Sequence, residues 1–425
     1  MAEVPRQPEA TIGGGRLMTR SGSTPDDGPG AWTSDAEWPA VGFVEVVWEG
    51  DRDRIPRSRR IDYAGTYHAA VVPEIAHRTV AVPTVVQALV EEAAAEVARF
   101  DGEIDGEVAP LASVLLRSES AASSQIEHLT ASAKAIAMAE LGDTDRANAS
   151  LIVANSRAML TAVELADRLD ENAVIAMHSA LMSESDPKIV GRWRQEPVWI
   201  GTSSYGPHTA SFVPPPYEMV PDAMADLVRY ISRDDIPLIE QVAIAHAQFE
   251  TIHPFPDGNG RTGRAVAHGM LRGKRLTRQV TLPVSAGLLK NVDGYIAALE
   301  SYRAGDPVPI IERVAEASIF AVHSGRDLLT TMQDIQQEWR VALQVRPQAV
   351  VWRALDAVIR HGVVDARLLT EELDVSAGGA TTAIEQLVKI GALTQIGSGS
   401  RNRRFAAPAV LEALDEYARG IARRT

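Results

Sequence analysis

The sequence predicts a mainly α-helical protein, and three observations predict it. Apolar residues recur at the three- and four-residue spacing of a buried helix face along most of the chain. Alanine is abundant while aromatics make up only 5% of the 425 residues, a balance that suits packed helices better than sheets. Strand-like runs are few and short. Hydrophobic residues at 45% and charged residues at 23% are the ordinary mix of a chain that buries a sizeable core. No apolar run approaches the roughly 18 residues needed to cross a bilayer, and no apolar stretch follows a basic start, so the expectation is a cytoplasmic protein without a membrane span. The absence of cysteine excludes cysteine nucleophiles, disulfides and thiolate zinc sites. A net charge of −14 argues against a surface built throughout for nucleic acid and leaves room for a local patch.

Residues 1–38 combine Gly13-Gly14-Gly15, Ser21 to Ser23 and a Pro/Asp/Gly run with few apolar anchors, and read as a disordered tail. A β-branched and aromatic run at 41–48 reads as a strand, followed by Arg52, Arg54, Arg57, Arg59 and Arg60 on a solvated loop. Helical spacing then holds over 83–100, 109–125, 131–140, 146–169, 171–182, 221–232 and 238–251. The pattern breaks at 197–216. There Val198-Trp199-Ile200, then Gly201, Gly206 and Pro207, then Ala210 to Val213 before three prolines, read as two short strands of a hairpin. Helices resume after Gly263 through Leu271, over 284–299, and as a long helix over 310–339. Arg346-Pro347 marks a boundary, and the residues beyond it are nearly balanced in charge where those before it are strongly acidic.

The chemistry concentrates at 253–264, His-Pro-Phe-Pro-Asp-Gly-Asn-Gly-Arg-Thr-Gly-Arg. Two prolines force extended backbone, and Gly258-Asn259-Gly260 supplies three residues that tolerate left-handed conformation before a helix begins. Consecutive N–H groups in such a turn form an anion nest, reinforced by the helix dipole, for which phosphate is the natural ligand. Arg261 and Arg264, three apart, face the same anion. Asp257 beside the nest calls for a cation between it and a phosphate, and Mg²⁺ binds in that manner. His253 is a general-base candidate. Together these residues describe nucleotide-dependent group transfer to a hydroxyl.

The string fits the pattern H-x-F-x-D/E-G-N-G-R-x-x-R at every specified position and resembles the Fic family. Ala245 to Ile252 is similar to the helix that precedes the motif in that family, and Gly191 to Pro216 to the segment carrying its target-docking hairpin, the flap. The resemblance covers roughly residues 75–325. It implies transfer of AMP from ATP to a Ser, Thr or Tyr hydroxyl of a protein, with release of pyrophosphate. By that likeness His253 deprotonates the acceptor, Asp257 holds Mg²⁺, Gly258, Asn259, Gly260 and Arg261 bind the α- and β-phosphates, and Arg264 reaches the γ-phosphate. Phe255 anchors the loop. Tyr295 matches the first tyrosine of a family Tyr-Tyr pair near the base, and Ile296 replaces the second. Residues 118–130 resemble the family's inhibitory helix, S/T-x-x-x-E-G/N, with Ser123 and Glu127 on one helix face and His128 departing from the last position. A carboxylate aimed at Arg264 competes for the guanidinium that the γ-phosphate needs.

Beyond Pro347, helical spacing at 368–373 and 380–390 around Gly378-Gly379, then two strand-like runs about the basic tip Arg401, Arg403 and Arg404, resemble a winged helix. In a DNA-binding version Thr381, Thr382 and Gln386 face the groove and the three arginines meet phosphates. A protein-docking version is equally compatible. The expected division is a tail at 1–38, an N-terminal helical region with the inhibitory helix at 39–145, a Fic catalytic domain at 146–330, a linker helix at 331–346 and a winged helix-turn-helix domain at 347–425. The implied function is a protein adenylyltransferase restrained by Glu127, with ATP as substrate, Mg²⁺ as cofactor and a hydroxyl-bearing protein, or itself, as target. Transfer of another nucleotide or phosphate-bearing group stays open, as does a nucleotide-sensing DNA-binding regulator on an idle Fic fold, against which the intact His253 weighs. DNA and a second copy in a homodimer stay open as partners.

Overall fold

A computed structural model of the chain describes residues 37–48, 63, 65–104, 111–201, 205–346, 348–399 and 402–422. The tail expected at 1–38 lies outside them up to residue 36, as do the basic cluster at 52–60 and Arg401. Trp38, counted with that tail, instead packs on Tyr302 with ring centroids 5.9 Å apart.

Strand β1 (Gly42–Val47) is the run expected at 41–48, and it pairs antiparallel with β2 (Thr66–Val71), Gly42 opposite Val71. Helices α1 (Thr84–Glu103), α2 (Ala112–Ile126), α3 (Ala133–Glu140), α4 (Ala147–Glu164) and α5 (Glu171–Met182) follow where the apolar spacing puts them. Caps fix several starts: Ser132 accepts from Ala135 N–H at the head of α3, and Asp170 from Ala173 N–H at the head of α5. After the flap come α6 (Val220–Ile231), α7 (Leu238–Ile252), α8 (Asn259–Gly273), α9 (Val284–Leu289), α10 (Val292–Arg303) and α11 (Val308–Ala342). The single stretch expected at 284–299 is two helices, because Asn291 leaves the helical conformation and caps α10 through Gly294 N–H. The boundary expected at 330/331 falls inside α11, which runs through it unbroken.

The flap hairpin is reduced to one antiparallel bridge, Ile200 to Phe212. Pro197, Pro207 and the prolines at 214–216 lack the N–H groups that a longer ladder needs. The flap instead leans on the first hairpin, where Ala70 N–H donates to the Val213 carbonyl at 2.9 Å.

Helix α7 is the axis of the core. Every residue from Ile239 to Ile252 is buried, the mark of a helix surrounded on all sides. Some of its polar groups are paired inside the core, where Gln241 Nε2 donates to the Tyr230 carbonyl and Gln248 accepts from the Tyr302 hydroxyl, whereas Gln241 Oε1, His246 Nδ1 and Glu250 Oε1 are buried without a hydrogen-bond partner. Beyond α11 the chain forms α12 (Val350–His361), β3 (Val363–Asp365), α13 (Ala366–Leu373), α14 (Ala377–Lys389), β4 (Thr394–Ile396), β5 (Arg404–Ala406) and α15 (Pro408–Ala422), with the three strands ordered β3-β5-β4, antiparallel. The glycines expected in the α13–α14 turn lie in the first turn of α14. Asp374 makes the left-handed turn, and Ser376 caps α14 by accepting from Gly379 N–H.

Candidate active site

The site is built where α7 gives way to α8. His253 ends α7 with φ of +52°, a region that residues other than glycine rarely enter. Its N–H donates to the Phe249 carbonyl at 2.8 Å, and its own carbonyl accepts from Arg194 Nε at 2.8 Å. Arg194 is buried and also donates to the carbonyls of Glu196 at 3.2 Å and Pro215 at 2.6 Å. One guanidinium thus ties the His253 turn to both ends of the flap. Phe255 is fully buried and stacks on His178 of α5, ring centroids 3.7 Å apart, while His178 Nε2 donates to the Asp257 carbonyl at 3.1 Å. Burial brings that imidazole down to about 4, so it is neutral at pH 7.

Asn259 closes the loop on itself. Its Oδ1 accepts from Phe255 N–H and its Nδ2 donates to the Phe255 carbonyl, both at 2.8 Å. The Asn259 side chain is buried against the loop, and what the residue presents outward is a backbone N–H in the unpaired first turn of α8. Of the three residues that tolerate left-handed backbone, Gly258 adopts it, at φ +77°. Gly260 is helical, and the reason for glycine there is space, since a Cβ would sit 2.0 Å from Glu127 Oε1.

Arg261 is buried, with Nε and Nη1 lacking any partner and Nη2 3.8 Å from Asp257 Oδ1. Two unpartnered nitrogens on a buried guanidinium at the head of a helix are groups that phosphate oxygens satisfy. Asp257 is 69% exposed along its side chain, and its Oδ1 accepts from Gly258 N–H at 2.6 Å. Among the described residues no three His, Cys, Asp or Glu side chains converge as a metal cage. The residues fit a Mg²⁺ held through one carboxylate and completed by phosphate and water. The His253 imidazole is brought down to about 4 by burial and by the charges of Arg194 and Arg303, so its proton-accepting form prevails at pH 7. Glu250, whose Oε2 lies 3.9 Å from His253 Nδ1, is pushed up to about 7 by burial.

Arg264 is buried and faces α2. Its Nε donates to Ser123 Oγ, and its Nη2 to the Ser123 carbonyl, each at 2.8 Å, and Nη2 also reaches Glu127 Oε1 at 2.9 Å. Crowding by protein raises the Glu127 carboxyl, but the Arg264 charge and hydrogen bond outweigh it and hold the group below the usual carboxylate range. Glu127 occupies this place because α2 ends in a left-handed cap. His128 takes φ +60°, its N–H donates to the Gln125 carbonyl at 2.9 Å, and Leu129 N–H donates to the Ser124 carbonyl at 3.0 Å. The departure from glycine at 128 thus leaves the turn geometry intact.

Tyr295, expected near the nucleobase, faces inward. It is 4% exposed, and its hydroxyl is 2.7 Å from His246 Nε2. The inward face of α10 places it in the core, while Ile296 is 48% exposed. Arg194 and His178 escape a reading of spacing because their partners lie 59 and 79 residues away, and Glu250, three residues before His253, was read only as part of the helix preceding the motif. The Arg192-Trp193-Arg194 run before the flap is the only local signal of the three.

Residues 168–271 match the model of the Fic/DOC family. Protein adenylyltransferase fic-1 of Caenorhabditis elegans is 28% identical over 171 residues, 40% of this chain and 31% of that protein. A probable protein adenylyltransferase of Aquifex aeolicus, aq_aa38, is 33% identical over 111 residues, 25% of this chain and 31% of that protein. These alignments span less than a third of the relatives' own length. Among solved structures, a Fic family protein from Desulfovibrio desulfuricans G20 covers 77% of this chain and 97% of its own at 22% identity and a TM-score of 0.49. Fic-1 from Caenorhabditis elegans covers 58% and 74% at 21% and 0.44. No helix among the described residues is long and apolar enough to cross a membrane.

Proposed function

We propose that the chain is a protein adenylyltransferase, transferring AMP from ATP to a Ser, Thr or Tyr hydroxyl of a protein. The observation that carries this reading is the pairing of a neutral imidazole at His253 with an anion cradle at Gly258, Gly260 and Arg261, held rigid by Asn259, Arg194 and His178. The acceptor O–H gives its proton to His253, the oxygen bonds to the α-phosphorus, and the bond from that phosphorus to the bridging oxygen breaks, so that pyrophosphate leaves. Positioning and charge stabilisation supply most of the rate in such a transfer. Mg²⁺ at Asp257, when bound, offsets phosphate charge; Arg261 grips the α- and β-phosphates and Arg264 the γ-phosphate. In the resting chain Glu127 and Ser123 engage Arg264, which supports restraint of ATP binding by α2.

We read residues 347–425 as a winged helix on the pattern of α12, β3, α13, α14, β4 and β5, with α11 shared between the catalytic region and the linker. Its docking on the body favours a protein-contacting role over DNA. Arg404 of the expected wing forms an ion pair with Asp143 at 3.0 Å, and the hydroxyls of Thr381 and Thr382 donate to carbonyls of their own helix. Incubation with Mg²⁺ and labelled ATP, GTP or UTP, read by intact mass and peptide mapping, tests the reading: a gain of one AMP on a hydroxyl residue is expected. Transfer from another nucleotide alone would replace it.

A further inference from the structure

Helices α2 and α8 meet as an antiparallel ladder whose rungs are one turn apart. On α2 the rungs are Glu119, Ser123 and Glu127, and on α8 they are His268, Arg264 and Gly260. The second and third rungs carry the contacts to Arg264 already described. The first has no part in phosphate binding. Glu119 is fully buried, with Oε1 2.9 Å from His268 Nε2, Oε2 accepting from Ser285 N–H of α9 at 2.8 Å, and a further hydrogen bond from the Ser285 hydroxyl.

A carboxylate without solvent contact is tolerated only while its partners stay in place, so it fixes geometry more strictly than apolar packing does. Besides the Glu119 and Arg264 contacts, this stretch is held by apolar packing and by neutral hydrogen bonds, none of which carries a buried charge. Ala122 and Ile126 pack against Leu289 and Ile421, and Asn155 Nδ2 reaches the Ser120 carbonyl at 3.0 Å. Glu127 stands just past the last residue of α2 with a side chain 41% exposed, so its position follows the helix that carries it. Eight residues, or about 12 Å of helix, separate the two glutamates, so an axial slip at Glu119 carries directly to the far end.

We infer that Glu119, anchored by His268 and Ser285, is the positioning residue of the brake: it sets the register of α2 that delivers Glu127 to Arg264. The inference rests on the restraint reading given above. Its test compares Glu119→Ala, Glu127→Gly and the double variant of the full chain by self-modification with labelled ATP and by amide hydrogen exchange along 118–127. Glu119→Ala should raise transfer roughly fivefold or more, the scale of coupling within one contact network, and speed exchange along 118–127 while α11 is unchanged. Added to Glu127→Gly it should change transfer little. Glu119→Gln, whose amide oxygen still accepts from Ser285 N–H while its NH2 donates to the Ser285 hydroxyl and His268 Nε2, should stay close to wild type. Unchanged exchange along 118–127 in Glu119→Ala overturns the inference, as does an equal effect on transfer in both backgrounds, which would mark a role in α8 itself. If Glu119→Ala fails to fold, Ser285→Ala weakens the same anchor from α9 and is held to the same two outcomes. Should Glu127→Gly fail to raise transfer, the restraint reading falls, and exchange still decides whether Glu119 sets the register.

Discussion

The catalytic loop and the end of α2 lie against each other and are made in opposite ways. The loop takes its internal shape locally, since Asn259 braces Phe255, Asp257 accepts from Gly258 N–H and Gly258 supplies the left-handed residue, and only its outer supports, Arg194 and His178, come from far along the chain. The end of α2 takes its meaning from elsewhere. Ser123 and Glu127 meet Arg264, which is 141 and 137 residues away in the chain. Chemistry can be written locally, whereas restraint of that chemistry needs two distant segments to agree in register.

The most severe way to break this comparison is to disable the loop alone. His253→Ala should lower transfer by about 10²- to 10⁴-fold, the usual worth of a general base, while ATP binding persists because the base acts on the acceptor. Label incorporation and a binding isotherm measure the two separately, and undiminished transfer would remove His253 from its assigned role.

Disabling the restraint should act in the other direction. Glu127→Gly is expected to raise self-modification roughly tenfold or more, since a hydrogen bond to a charged group contributes about 1.5–3 kcal/mol. Arg264→Ala should be poorly active, and combining the two changes should restore little. A double variant as active as Glu127→Gly would show that the two residues do not compete through one guanidinium.

A smaller effect concerns protonation. With burial, Arg194 and Arg303 bringing it down, His253 should titrate near 4 rather than 6.5 when followed by imidazole NMR. The sign follows: an unfolded chain takes up this proton more readily, so acidification from about 6.5 toward 4 removes stability through His253. A midpoint near 6.5 would mean that the turn is open to water.

The smallest effect lies outside both regions. Arg404→Ala should reduce stability by less than about 1 kcal/mol, as expected for a partly exposed ion pair with Asp143. It should leave any low-salt mobility shift of the full chain on DNA unchanged, because that guanidinium already has a partner. A marked loss of DNA binding would return it to the wing surface.

Sequence alone was enough for most helices before residue 343 and for the turn-forming loop, although α12 and α15 were not read from it and the run at 284–299 is two helices. Those helices and the loop depend on short-range rules, namely the period of apolar residues, the φ freedom of glycine and the unpaired N–H groups at a helix start. It also placed Ser123 and Glu127 on one face of a helix, because four-residue spacing has that consequence anywhere. Only the tertiary structure decided what that face meets. Tyr295 turned inward to His246, Arg404 reached Asp143, the flap shrank to a single bridge, and Arg194 proved to hold the turn at His253. Glu119 belongs with these, one more glutamate on an amphipathic helix until His268 and Ser285 close over it. Such contacts join residues far apart in the chain, and their partners are fixed by how whole helices pack rather than by any local period.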